Sequence, residues 1–394
     1  MTLQVFHKTR IPVNKSLYNI ILLITFIGVL GLGVWVFTCV NNPKDAFFSY
    51  LIAFMTTLTI SLGCLIFVLI QYAVRAGWSI VVRRIAEVIS ATIPLFIILF
   101  IPILIGAKYL FPWMDIDHID PILKAKLPYL NTTFFTIRSF AYLIIWSMMG
   151  LWFYIKSIKS DKILKEYDIR INLMLSAPCI FIFALSISFA GFDWIMSLQP
   201  HWYSTIFGVY IFSGSILSGL CLITIILIVL QKYDFGRNII TLEHYQDLGK
   251  LIFGFTIFWA YIAFSQFIIM WYAAIPEEME FYYHRLQHGW EYLSWIMPIS
   301  HFFLPFFVLL SRHMKRNKVV LFWSCIWIII MHFIDIYWLI LPAGSSFTVT
   351  ISLLVSIIGI SCVWIGLIIW ILVKEHIIPI KDPRLVESIN FENF

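Results

Sequence analysis

The sequence predicts an all-α integral membrane protein that crosses the bilayer ten times. Three observations predict it. Hydrophobic residues make up 61% of the 394 residues and charged residues only 12%, whereas a soluble domain carries about 25% charged residues. The apolar residues gather in ten stretches, 17–39, 47–73, 86–110, 131–155, 172–191, 203–230, 249–274, 290–310, 319–340 and 347–373, each long enough to supply the roughly 20 residues of a crossing helix. The basic residues alternate from loop to loop. Of 27 Lys and Arg, 21 lie in the N-terminal segment, the even-numbered loops and the C-terminal tail, 5 in the odd-numbered loops, and one, Arg138, inside a stretch. That bias predicts cytoplasmic termini and an even number of crossings. Inside lipid each backbone amide must find its partner within its own element, so the stretches are helices.

Composition also excludes. The longest loop, 111–130, leaves no room for a soluble domain, so residues 1–394 form a single polytopic membrane domain. The net charge of +6 is spread over many loops, which reflects topology and not a nucleic-acid partner. The six cysteines, Cys39, Cys64, Cys179, Cys221, Cys325 and Cys362, lie in or beside apolar stretches without a CxxC pair or a CxxCH haem-attachment site. They read as small core hydrophobes.

The elements follow in order. The first stretch is too long for a signal-peptide core, and no clear small-residue cleavage site follows it, so it is expected to stay as an anchor. The second and sixth carry small residues, Ser61 and Gly63 against Gly208, Ser213, Gly214, Ser215, Ser218 and Gly219. Such residues let helices approach closely in lipid, and Ser61-Leu-Gly-Cys64 faintly echoes Ser218-Gly-Leu-Cys221. The third opens with Glu87 and contains Pro94 and Pro102; the seventh has no proline. The fourth holds Arg138 about seven residues in, with Tyr142 one turn on. The seventh holds Gln266, the eighth Glu291 and His301, and the ninth His332 and Asp335. At a spacing of three, His332 and Asp335 share a helix face.

Loops at one side are short and basic. Those at the other are richer: Phe111-Pro-Trp-Met-Asp-Ile-Asp-His-Ile-Asp-Pro121, Gly191-Phe-Asp-Trp-Ile-Met-Ser-Leu-Gln-Pro-His-Trp202 and Ile275-Pro-Glu-Glu-Met-Glu-Phe-Tyr-Tyr-His-Arg285. Their aromatics suit an interfacial belt, and their acids suit docking of a periplasmic partner.

Ionisable groups within crossing helices are functional by default. Arg138, Tyr142, Gln266, His301, His332 and Asp335 all come to the outer half of the membrane. One reading is a buried Arg138–Asp335 ion pair that fixes two helices. The other is an outward polar cavity that conducts protons or receives a quinone head group, with Arg138 favouring the ionised aspartate. His301 and His332 are a thin basis for b-type haem, and His288 has no second ligand to match it.

Two stretches carry a resemblance. Phe192-Asp-Trp-Ile-Met-Ser-Leu-Gln-Pro-His-Trp-Tyr-Ser-Thr-Ile-Phe-Gly-Val-Tyr210 is one; Phe255-Thr-Ile-Phe-Trp-Ala-Tyr-Ile-Ala-Phe-Ser-Gln266, followed by Trp271-Tyr-Ala-Ala-Ile-Pro-Glu-Glu278, is the other. Both resemble the NrfD-like (polysulfide reductase type) membrane subunits of alternative complex III, a bacterial quinol:cytochrome c oxidoreductase, and the second, F-type subunit most closely. The matching motif residues are Asp193, Trp194, His201, Trp202, Ser265, Gln266, Glu277 and Glu278. Gln199 and Ala274 depart from it, standing where the family often has Glu and Asn.

The resemblance implies two four-helix bundles, helices 2–5 and 6–9, flanked by helices 1 and 10. It implies a multi-pass subunit of the bacterial cytoplasmic (inner) membrane with no redox centre of its own. Partners would be a multihaem cytochrome c, an iron–sulfur subunit and a paralogous NrfD-like subunit, which is usually assigned the quinol site. The expected function is proton conduction and scaffolding, with quinone or quinol binding open. A stand-alone secondary transporter and a purely structural anchor are the alternatives. The transporter predicts midplane breaks in both halves, which Pro94 and Pro102 without a proline in the seventh stretch do not supply.

Overall fold

The computed structural model describes residues 9–12, 14–114, 121–162, 166–236, 239–344 and 349–393. It is an all-α multi-pass membrane fold. Among the described residues ten helices are long and apolar enough to cross a membrane. We number them α1 (Lys15–Asn41), α2 (Pro43–Ala73), α3 (Ile80–Ile105), α4 (Thr132–Lys162), α5 (Glu166–Trp194), α6 (Phe207–Lys232), α7 (Leu242–Ala273), α8 (Trp290–Leu310), α9 (Lys318–Ile340) and α10 (Ile351–Leu372). Polar side chains start several of them. Asn14 accepts from Leu17 N at 2.8 Å, and Asn317 accepts from Val319 N at 3.0 Å. A Thr241–His244 capping box opens α7.

The helices are not equivalent. α2 is enclosed along almost its whole length, whereas α1 buries only Ile21, Gly28 and Trp35. Contacts run in two closed circuits. One joins α2, α3, α4 and α5; the other joins α6, α7, α8 and α9; α2 and α6 pack directly on each other, and α1 lies on α10. At the α2–α6 crossing the two backbones touch. A Cβ on Gly63 would stand 1.8 Å from Ser215 O, and one on Gly219 would stand 2.7 Å from Gly63 C. The small residues that echo between the second and sixth stretches thus meet at one crossing. Gly63→Val is expected to force α2 and α6 apart and to cost about 3 kcal/mol or more, above the usual overpacking range because backbone, not side chain, must yield. The check is the thermal midpoint in detergent; a midpoint within about 1 °C of wild type would refute the direct crossing.

Two elements differ from the sequence expectation. The third stretch is not one helix. Its helical pieces are Ile80–Ser90, Leu95–Leu99, Ile101–Ile105 and Ala107–Leu110. Pro94 and Pro102 remove backbone donors at the breaks, and Gly106 ends the third piece. The helix also begins six residues early, because Arg83, Arg84 and Glu87 are buried with it. The second difference lies between α7 and α8, where the loop folds into a helix, Pro276–His284. Large aromatics such as Tyr272, Tyr292 and Trp295 stay exposed at the ends of α7 and α8, as interfacial rings do.

Both described ends of the chain lie at one side of the bundle. Ile377 N donates to Thr9 O at 2.8 Å, and Arg10 donates to Lys374 O at 2.6 Å. The tail then runs beneath the helices. Asp382 pairs with Arg83 at 2.9 Å, Lys381 donates to Lys162 O at 2.7 Å, and Ser388 donates to Trp78 O at 2.6 Å. This side carries the basic loops. The side with the α3–α4, α5–α6 and α7–α8 connections is called the opposite side below.

Candidate functional site

The intramembrane polar residues fall into three hydrogen-bonded sets, not one cluster. The expected pair of Arg138 with Asp335 is not formed. Arg138, on α4, instead holds Asp193 at the end of α5 through two bonds, Nε to Oδ2 at 2.9 Å and Nη2 to Oδ1 at 2.8 Å. Tyr142 donates to Asp193 Oδ2 at 3.0 Å, and Arg138 Nη1 donates to Tyr129 O at 3.0 Å. The guanidinium lies 3.8 Å over the Tyr129 ring and 4.2 Å over Phe134. This two-pronged, ring-covered arrangement is the strongest geometry an ion pair has. It ties α4 to α5. Beside it Trp194 donates to Ser139 Oγ at 2.9 Å.

Asp335 belongs to the second set. Tyr210 of α6 donates to its Oδ1 at 2.6 Å, and Trp259 of α7 donates to its Oδ2 at 3.1 Å. Both donors are neutral, and among the described residues no cation pairs with this carboxyl. The Trp259 ring also lies against the His301 ring of α8, ring centres 3.8 Å apart and planes tilted by 31°. His301 sits in a π-helical segment, Pro298–Phe303, and both of its ring nitrogens are buried without a partner among the described residues. π-Bulges of this kind mark functional sites more often than chance. One turn before Asp335, His332 Nε2 lies 2.8 Å from Thr59 Oγ1 of α2. Thr59 also reaches Met55 O at 2.7 Å. A hydroxyl has one proton, so when it goes to Met55 the imidazole donates through Nε2. That leaves Nδ1 as a bare acceptor against Gly214, with no partner among the described residues. Five helices, α2, α6, α7, α8 and α9, therefore converge on one buried group of Asp, His, Tyr, Trp and Thr.

The third set lies at the opposite side. Ser204 donates to Gln266 Oε1 at 3.4 Å, and Gln266 Nε2 donates to Tyr282 at 3.4 Å. Next to it is Arg285, which the sequence places in a loop but which is only 1% exposed. Its guanidinium donates to Phe281 O, Trp338 O, Leu339 O and Gln199 Oε1, at 2.7, 3.1, 2.7 and 3.1 Å. It faces the last carbonyls of α9, where a cation is favoured, yet no carboxylate pairs with it among the described residues. Burial pushes Arg285 down to about 9, still protonated at neutral pH. A base lowered in this way weakens the fold below its folded pKa and relieves it as pH rises above. Gln199→Glu would put a carboxylate on Nη1. The expected result is a higher unfolding midpoint by several degrees, lost again as pH falls through the carboxylate range; an unchanged midpoint at pH 7 would show that Arg285 is already fully compensated. Ala274, the other position noted in the sequence, has a backbone reading. It ends α7 at φ 49°, ψ 33°, a left-handed cap that asparagine adopts more readily than alanine.

Of the remaining motif residues, Trp202 is buried and stacks on Phe281 at 4.0 Å. His201 is exposed, and Ser265 and Glu278 are half-buried. The side chain of Glu277, and all of Asp115, lie outside the described residues. No group of three or more His, Cys, Asp or Glu is placed to hold a metal ion among the described residues, and all six cysteines are free thiols.

Sequence reasoning found Asp335, His332 and Arg138 but not their partners. The signal was present. Asp193, Tyr210 and Trp259, which hold Arg138 and Asp335, lie in the two stretches that carry the resemblance; Thr59, which meets His332, does not. A fourth set lies at the basic side, of which the sequence singled out only Glu87 and not its partners. Glu87 accepts from Tyr72 at 3.1 Å and pairs with Arg83 at 3.0 Å and Arg84 at 3.3 Å; Arg84 also pairs with Asp161 at 2.8 Å. The spacing of Arg83, Arg84 and Glu87, three and four apart, places them on one helix face. No family model matches this chain, and no curated protein matches it.

Proposed function

We propose that this chain is a multi-pass subunit of the bacterial cytoplasmic membrane in a quinol-oxidising respiratory complex of the alternative complex III kind, without a redox centre of its own, and that it contributes a proton path and a scaffold. The observation that carries the reading is the convergence of five helices on Asp335, His332 and His301. A scaffold needs no carboxyl without a counter-charge and no imidazole without a partner, because each such group costs stability in lipid. A group able to take and pass a proton needs both. Asp335 and His332 are the exchanging groups, Tyr210 and Thr59 relay, and His301 offers the next acceptor across Trp259. Arg138, Tyr142 and Asp193 supply the scaffold. Gln266 has no part in the proton path on this reading.

The basic side faces the cytoplasm, by the charge bias of the loops. The opposite side then meets periplasmic haem and iron–sulfur subunits and, within the membrane, a paralogous NrfD-like subunit. A secondary transporter is less well supported. The proline breaks fall in α3 and the π-helical segment in α8, which do not occupy corresponding places in the two circuits, whereas repeat-built transporters break corresponding helices. The test is purification of the chain from its native membrane in mild detergent. Haem-bearing and iron–sulfur subunits are expected to come with it. A chain that purifies alone and moves a solute into vesicles would overturn the proposal.

A further inference from the structure

At the basic side the ends of α2, α4 and α5 and the C-terminal tail enclose a cavity of about 260 Å³. That is below the ~300–1,000 Å³ of drug-sized sites. It suits a small polar group. Its wall is unusual in two respects. The inner part presents two acceptor oxygens without donors: Gln71 Oε1 and Asp161 Oδ1 are both buried and make no hydrogen bond among the described residues. Gln71 as a residue is only 6% exposed, and the Asp161 side chain 8%. Buried acceptors left bare cost about 1–3 kcal/mol each, so two on one cavity call for a ligand that brings N–H or O–H donors. At the rim stands the reverse. Arg75 lines the cavity, is exposed, and its guanidinium makes no bond among the described residues. Arg384, at the same rim, is tied to Glu387 at 2.7 Å. The two other charged lining groups are spoken for, since Arg83 and Asp382 pair with each other at 2.9 Å.

We propose that this cavity binds the headgroup of a phosphoethanolamine lipid, its primary ammonium donating to Gln71 Oε1 and Asp161 Oδ1 and its phosphate meeting Arg75. The order of charges along the wall, acceptors inside and a free cation at the rim, matches the order along that headgroup. The depth matches as well. Gln71 and Arg75 flank the end of α2, and Asp161 lies in the last turn of α4, so the cavity stands at headgroup level. Cationic pockets between helix ends are known lipid-phosphate sites. The ammonium adds selectivity, because a choline headgroup of similar charge has no N–H to donate.

The experiment is native mass spectrometry and thermal unfolding of the delipidated protein with added phosphatidylethanolamine, phosphatidylcholine or phosphatidylglycerol, and with free phosphoethanolamine. The ethanolamine lipid is expected to be retained at least tenfold over the choline lipid and to raise the unfolding midpoint. Free phosphoethanolamine should compete with it. Gln71→Met removes one bare acceptor at nearly constant volume. It should raise the midpoint of the delipidated protein and abolish the preference for ethanolamine over choline. Arg75→Gln should weaken all three lipids alike. Asp161→Asn also disturbs Arg84, so Gln71→Met, which breaks no existing bond, decides. Equal retention of ethanolamine and choline lipids, or an unchanged preference in Gln71→Met, would overturn the proposal in favour of a water-filled cavity. Preference for phosphatidylglycerol would overturn it in favour of a simple anion site.

Discussion

Asp193→Ala is expected to remove most of the folded protein from the membrane, at a cost of about 3–5 kcal/mol. The change leaves the Arg138 guanidinium, which is 8% exposed, without its two-pronged partner. A buried cation stranded in that way carries a penalty larger than the pair itself was worth. Tyr142 loses its acceptor in the same step, which adds about 1 kcal/mol. The rescue is as informative as the loss. Arg138→Met with Asp193→Leu removes both charges and keeps volume, and apolar pairs often replace buried ion pairs at little cost. The double variant should recover most of the yield of monodisperse protein and most of the unfolding midpoint. If the single change costs less than about 1 kcal/mol, or if the double change is no better than the single, the pair is not what joins α4 to α5.

How much of this was legible in the sequence depends on what lipid does to composition. Hydropathy counts crossings well, since any segment in hydrocarbon must be long and apolar. It does not say which helix is central. α1 and α2 are both apolar on every side, yet α2 is enclosed and α1 is mostly exposed. Lipid tails are as apolar as leucine, so a lipid-facing surface and a protein-facing one read alike. The same blindness misassigned Arg138. Sequence gives the depth of a residue along a helix but not the direction it faces once helices pack, and Arg138 and Asp335 come to similar depth on helices of different circuits. Asp193 is the nearer acid. It lies at the very end of α5, beyond the apolar run that ends at 191, so hydropathy left it in a loop. Arg285 was left in a loop for the same reason, though it is buried. In both places the misleading feature was a charge at a helix boundary. The prolines that break α3 stand in the sequence and act through their own missing N–H, but the apolar run reads straight through them as one crossing.

The reassignment of Arg138 turns the proton proposal into a sharper comparison. Asp335→Asn keeps the size of the side chain and can still accept from Tyr210. Its amide, however, meets the Trp259 donor with a donor of its own, a mismatch worth about 1–3 kcal/mol. Assembly is therefore expected to survive with a modestly lower midpoint. What should fall is the number of protons released per electron when the complex, in reconstituted vesicles, oxidises quinol, because an amide cannot take up and return a proton as a carboxyl does. His332→Gln, which can keep one bond to Thr59, should act in the same direction. The Arg138→Met, Asp193→Leu double variant is the control. It removes two charges from the same half of the membrane but from the other circuit, and its proton ratio should equal that of wild type. A scaffold made only of buried pairs predicts the opposite ordering: equal ratios everywhere, with yield as the only variable. A ratio that stays at the wild-type value in Asp335→Asn, with normal yield, would end the proton path through α9; a ratio that falls in the double variant would restore Arg138 to the path and join the two circuits in one conduit.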